Sequence, residues 1–175
     1  SSNKNPYHCG TTDGTSIFHL AEGPNQAVYA RTIMPLYILR YTPATRKLEN
    51  LGRGGPDDGE AYSFGHCDGK LYYGTYRIYK TADGAESWSA ISTNLTNGNQ
   101  GGNYGTITTI AVAPSNPSVL YVGTDDSNVW VTQNGGGAWP NVSTALPNRW
   151  VTRVAVDPGM AGTAYVTFSG LRWNE

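Results

Sequence analysis

Polar and apolar residues alternate in short runs along most of the chain, and turn-forming clusters rather than helical spacings separate the runs. Thr106 to Ala113 alternates like a half-buried strand, and Pro114-Ser115-Asn116-Pro117 then turns the chain. A second strand is predicted over Val119 to Thr124. After a loop at Asp125-Asp126-Ser127 come a third strand, Asn128 to Thr132, a turn over Gln133 to Gly137, and a short outer strand, Trp139 to Ser143.

The same order recurs. Leu71-Tyr72-Tyr73-Gly74-Thr75 returns as Leu120-Tyr121-Val122-Gly123-Thr124, and more loosely as Ala164-Tyr165-Val166-Thr167-Phe168 and Ala27-Val28-Tyr29-Ala30-Arg31. Aligning Ala30, Gly74, Gly123 and Thr167 gives steps of about 44, 49 and 44 residues, the length of a four-stranded β-propeller blade. The predicted class is therefore all-β, with about three and a half blades over residues 15–53, 60–95, 104–145 and 150–175. Strands are expected at Ser16 to Ala21, Gln26 to Thr32, Leu36 to Tyr41 and Lys47 to Leu51 in the first blade. The second blade takes Glu60 to His66, Lys70 to Thr75, Arg77 to Lys80 and Ser87 to Ser92. The last has Val151 to Asp157, Thr163 to Phe168 and Leu171 to Trp173, and lacks an outer strand. Residues 1–14 are a possible closing strand for it; otherwise a partner chain or a second copy covers the edge, and the second solution is favoured because the segment offers little apolar surface beyond Tyr7 and Cys9. The abrupt end after Trp173 favours a piece of a larger propeller.

Composition agrees: 22 Gly and 10 Pro beside only 14% charged residues suit many short strands and tight turns. A net charge of −1 with scattered Lys and Arg gives no basic field, so nucleic acid is not an expected partner. No apolar run is long enough to span a bilayer as a helix. Low charge with abundant Tyr, Trp, Gly, Asn and Thr points to an extracellular or periplasmic protein.

Thr81-Ala82-Asp83-Gly84-Ala85-Glu86-Ser87-Trp88 resembles the Asp-box, S/T-x-D-x-G-x-T-W, of sialidases, xyloglucanase-type glycoside hydrolases and sortilin-like receptors. Thr132-Gln133-Asn134-Gly135-Gly136-Gly137-Ala138-Trp139 looks like a second copy, with Asn134 and Ala138 as departures; the first departs at Ala85. The resemblance implies that Asp83 and Asn134 are scaffold on the face opposite the ligand. Residues 104–173 also look like the repeat domains of large exported bacterial proteins, whereas the first 55 residues look more like another propeller type.

Loops joining second to third strands, and those joining successive blades, emerge on one face of a propeller. That face collects Met34, Tyr76, Asp125, Asp126 and Ser169 from the first set, and Asp57, Asp58, Asn103, Tyr104, Arg149 and Trp150 from the second. Tyr76, Tyr104, Asp125, Asp126, Arg149 and Trp150 are the candidate ligand contacts, since rings beside carboxylates and amides suit sugar recognition; the competing reading, slightly favoured, is that the three rings pack between blades. No acid stands in a catalytic motif and no cofactor signature occurs, so catalytic residues are not assigned. The expected function is a non-catalytic binding or interaction module for a glycan or protein; the alternative is a fragment of an Asp-box glycoside hydrolase. His8-Cys9 and His66-Cys67 invite a zinc reading, but strand neighbours point to opposite faces, so no metal is assigned; a Cys9–Cys67 disulfide stays open. Asn94-Leu95-Thr96 and Asn141-Val142-Ser143 fit the glycosylation pattern.

Overall fold

The computed structural model describes residues 16–33, 37–53, 63–98 and 105–170. These residues form four antiparallel sheets, each a meander of consecutive strands. The first holds β1 (Ser16–Glu22), β2 (Val28–Ile33), β3 (Ile38–Thr42) and β4 (Lys47–Asn50). The second holds β5 (Ser63–Cys67), β6 (Lys70–Gly74), β7 (Ile78–Thr81) and β8 (Ser89–Ala90). Three strands make the third, β9 (Ile107–Val112), β10 (Leu120–Thr124) and β11 (Val129–Thr132), and β12 (Val151–Val156) pairs with β13 (Ala164–Phe168) in the fourth. The helical content of the described residues is one 3-10 turn, Pro24–Gln26.

Local chemistry explains the strand order. Asp68 and Gly69 both take positive φ, 50° and 69°, which a two-residue hairpin needs to match strand twist, so β5 and β6 close tightly. The expected outer strand over Trp139 to Ser143 is reduced to a single bridge between Trp130 and Asn141. Pro140 is the reason: it accepts from the Val131 amide at 3.1 Å but has no N–H to donate in return. The third strand expected at Leu171 to Trp173, and the closing strand expected within residues 1–14, lie outside the described residues.

The sheets stack as blades, and three apolar clusters lie between successive ones. Tyr29, Ile38, Phe64, Leu71 and Tyr73 fill the first junction; Tyr72, Ile78, Ile107, Leu120 and Val122 the second; Tyr121, Val129, Val131, Val151 and Val154 the third. Hiding each such side chain contributes roughly 1.5–3 kcal/mol, so stacking holds the array together. Trp88 and Trp139 occupy matching places: each follows its blade's third strand and packs back on the junction with the preceding blade.

Register corrects the repeat alignment by one residue in the first blade. Arg31 lies opposite Ile38 where Gly74 lies opposite Ile78 and Gly123 opposite Val129. The position equivalent to Gly74 is therefore Arg31 rather than Ala30, and Tyr29, Tyr72, Tyr121 and Tyr165 form one equivalent row. Because side chains alternate between faces, the shift decides which residues meet the next blade.

Candidate functional site

Tyr76, Asp125 and Asp126 sit in turns between second and third strands, and Arg149 and Trp150 precede β12, so the structure carries all five to the same end of the blades. Tyr104, Asn103, Asp57, Asp58 and Met34 lie outside the described residues. The connection from the second to the third blade runs beside the first group. Its Leu95 amide donates to the Tyr76 carbonyl at 2.9 Å, and its Thr106 amide donates to Asp125 Oδ1 at 2.8 Å. Asp125 returns its own amide to the Thr106 carbonyl at 2.9 Å.

Asp126 is bound as firmly. Its carboxylate accepts from the Thr124 hydroxyl, from the Asn97 amide and from Asn128 Nδ2 at 2.8 Å. Both aspartates are buried, with 2% and 8% of their surface exposed, and their bonds satisfy amides of the turn and of the inter-blade connection. The Tyr76 ring carries the Arg77 guanidinium 4.9 Å from its centroid, and Arg77 NH2 donates to the Tyr76 hydroxyl at 3.3 Å. At the next junction Arg149 donates to the Gly170 carbonyl at 3.0 Å, and the adjacent Trp150 is exposed. The face thus forms two groups, Tyr76 with the paired aspartates and Arg149 with Trp150.

Two features were not among the sequence's candidates. The first strands of all four blades line a cleft of about 470 Å³ that includes His19, Ser63, Phe64, Thr109 and Arg153. The recurring first strand was its signal, since that strand lies innermost in every blade. At the opposite end, Arg40 donates to the Gly84 carbonyl at 2.8 Å and pairs with Glu49 at 3.1 Å and Glu86 at 2.9 Å, clamping the first blade to the second. Lys47 and then Arg40 hold the Glu49 carboxyl below its usual range.

The turns after β7 and β11 share that opposite end and one hydrogen-bond skeleton. Thr81 Oγ donates to Asp83 Oδ1 at 2.6 Å and accepts from the Ala85 amide at 3.1 Å, while the Ser87 amide donates to Asp83 Oδ1 at 3.0 Å. Thr132, Asn134, Gly136 and Ala138 repeat these bonds at 2.9, 3.0 and 2.9 Å. The Ser87 hydroxyl, then the Thr81 hydroxyl and the Ser87 amide, hold the Asp83 carboxyl well below the usual carboxylate range.

No family model and no curated protein sequence matches the chain. Solved structures do. The protein YCF48 bound to D1 peptide is 12% identical, with a TM-score of 0.65 over 87% of this chain and 48% of that one. The chain is an array of β-propeller blades. A xyloglucanase from Xanthomonas campestris is 18% identical, with a TM-score of 0.61 over 81% of this chain and 24% of its own length. The computationally designed Ika4 protein is 17% identical, with a TM-score of 0.59 over 93% of this chain and 96% of that one. At these identities the likeness shows the fold; the chain spans about half the length of the YCF48 protein and a quarter of the xyloglucanase.

Proposed function

We infer that this chain is an exported, non-catalytic interaction module built from blades of the Asp-box kind, and that its ligand, a protein segment or a glycan, binds at the end carrying Trp150. One observation carries the reading: Asp125 and Asp126 spend their carboxylates on backbone amides and neighbouring side chains, while Trp150 keeps 39% of its surface exposed. A glycosidase needs two carboxyls that reach the scissile bond. A binding face needs an accessible aromatic body with polar groups around it, which Trp150, Arg149 and the Tyr76–Arg77 pair supply.

A protein ligand is supported by the likeness to YCF48, whose structure is described with a bound peptide. A glycan is supported by the exposed ring, whose flat face suits a sugar. The Asp-box assignment is supported by the shared bond skeleton of the two turns, in which Asp83 and Asn134 are scaffold. Export is supported by the low charge and the Gly, Asn, Thr and Tyr content.

Peptide and glycan arrays, run beside a panel of chromogenic glycosides, test this. The reading expects saturable binding on one array that Trp150→Ala weakens by about tenfold or more without lowering the melting temperature. Hydrolysis of a glycoside that disappears in Asp125→Asn would replace it with the glycoside-hydrolase reading.

A further inference from the structure

The innermost strands of the blades repeat one irregularity, and it sits beside a row of polar residues. His19, Ser63, Thr109 and Arg153 hold one equivalent place in the four first strands, opposite Arg31, Gly74, Gly123 and Thr167. In three of these strands the pairing skips a residue immediately before that place, ahead of His19, Thr109 and Arg153; Ser63 opens β5. A bulge of this kind bends its strand and re-aims the neighbouring side chain, and bulges concentrate at rims and beside active sites. All four residues of the row line the cleft of about 470 Å³ between the first strands.

What the cleft offers is hydrogen-bond donors and positive charge. Among the described residues no carboxylate lines it, and none pairs with Arg153, which is exposed. Ser63 keeps only 4% of its surface exposed, and its hydroxyl has no partner among the described residues. A buried hydroxyl left so in a native fold calls for an explanation, and a bound anion is one. Thr109 Oγ1 accepts from the Val154 amide at 3.2 Å, which leaves its own proton to give. His19 adds an imidazole held edge-on to Phe64, with ring centres 5.8 Å apart. The two skipped threonines differ from the row. Thr108 Oγ1 donates to the Val151 carbonyl at 2.5 Å, and Thr152 Oγ1 bonds Thr167 Oγ1 at 2.8 Å, so their hydroxyls serve the fold.

We propose that this cleft binds a tetrahedral oxyanion, a phosphate or sulfate group, with the Arg153 guanidinium as its charge partner and the Ser63 and Thr109 hydroxyls donating to its other oxygens. A planar carboxylate is satisfied by a single guanidinium fork. Donors carried by the strands of successive blades approach from different directions, as the oxygens of a tetrahedral group require. The cleft's volume falls within the roughly 300–1,000 Å³ of small-molecule sites, so a phosphate or sulfate ester fits as well as the free ion. Neither Arg149 nor Trp150 lines the cleft, so the site stands apart from the Trp150 face.

Calorimetric titration of the full chain with sodium sulfate and sodium phosphate tests the proposal, with ionic strength held constant and acetate and chloride as controls. Saturable binding of sulfate or phosphate is expected, about tenfold or more tighter than acetate. Arg153→Gln should weaken it by about tenfold or more and Ser63→Ala by about threefold, whereas Arg46→Gln, at an exposed turn outside the cleft, should leave it unchanged. Arg153 is exposed and the Ser63 hydroxyl makes no bond, so neither variant should lower the melting temperature measured without the anion. Phenyl phosphate and phenyl sulfate separate the sources of the group. An ester that binds more tightly than its inorganic ion assigns the group to a larger ligand, and one that binds no better assigns it to the free ion. The proposal is overturned if no saturable binding is found or if acetate binds as tightly as sulfate and phosphate. Unchanged affinity in either cleft variant overturns it as well. So does an equal loss in Arg46→Gln, because the attraction would then be to net charge rather than to this cleft.

Discussion

The turns after β7 and β11 have the same bonds but not the same residues, and the difference traces to the neighbouring blade. Thr81 and Thr132 do identical work, each accepting the amide four residues on. That fourth residue is Ala85 in one turn, at φ +76°, and Gly136 in the other, at φ +109°. A Cβ on Gly136 would stand 2.8 Å from both the Cβ and the carbonyl oxygen of Ile91 in the second blade. The equivalent place in the first blade is Leu51: Leu51 bonds back to the Ile38 carbonyl as Ile91 bonds to that of Ile78, both at 2.9 Å. The Ala85 methyl is buried in the junction that Leu51 helps to line, so the first blade leaves room there for a methyl that Ile91 of the second does not. The turn's bonds are therefore set within the blade, and its side-chain volume by the blade before.

The largest effect that would break this comparison is Gly136→Ala. Contacts this short, two to Ile91 and one of those to backbone, combine with an unfavourable φ, and the expected loss is about 2–4 kcal/mol of unfolding free energy in urea denaturation. Adding Ile91→Leu should recover little of the loss, because leucine keeps both the Cβ and the carbonyl oxygen and changes only the 3.2 Å contact to Cδ1. A single substitution costing under about 0.5 kcal/mol would show that the blades slide apart easily and that Ile91 does not set the residue.

How far such pairings could be read beforehand depended on where the signal lay. The second and third blades were legible because Tyr72 and Tyr121 sit in near-identical strands and turns punctuate each step. The first blade slipped by one residue because Ala27-Val28-Tyr29-Ala30 carries small and apolar residues on both faces, and only the pairing of Arg31 with Ile38 fixes the side. The outer strand at Trp139 failed on a single missing N–H at Pro140. Loop topology anticipated that Tyr76, Asp125, Asp126, Arg149 and Trp150 share one end of the blades. The commitment of both aspartates to amides of the turn and the inter-blade connection was not legible, because it depends on Asn97 and Thr106 arriving from the connection between blades.

Acid separates the two turns by a smaller amount. Asp83 titrates and Asn134 does not. In the folded state the Ser87 and Thr81 hydroxyls hold the Asp83 carboxyl below its ordinary range, whereas in the unfolded chain it titrates near about 3.9. A depressed folded value means the stabilisation is present above the unfolded value and drains away as pH falls below it toward the folded one. Asp83→Asn copies the other turn and removes that dependence. Between about pH 5 and pH 2 the variant's melting temperature should fall less than the wild type's. Part of the slope should persist in the variant, because Lys47 and Arg40 hold Glu49 low and Lys70 holds Asp68 low. Asp83 is on the surface, so the difference should be modest and should shrink in high salt. Equal slopes for the two proteins would sink the assignment of that acid dependence to this turn.

The smallest effect belongs to Ala85→Gly, which makes the first turn resemble the second at the residue where they differ most. Three terms of similar size oppose one another. Relieving an alanine at φ +76° favours the variant by about 1 kcal/mol. Against it stand the loss of a buried methyl, roughly 0.8 kcal/mol, and the extra freedom glycine gives the unfolded chain, about 0.4–1 kcal/mol. Their sum is a slight destabilisation, under about 1 kcal/mol, visible as a small shift in the urea midpoint with the slope unchanged. A gain above about 1 kcal/mol would mean that the methyl contributes no packing and that strain alone distinguishes the turns. A loss above about 2 kcal/mol would mean that Ala85 is a keystone of the first junction, more demanding than its size suggests.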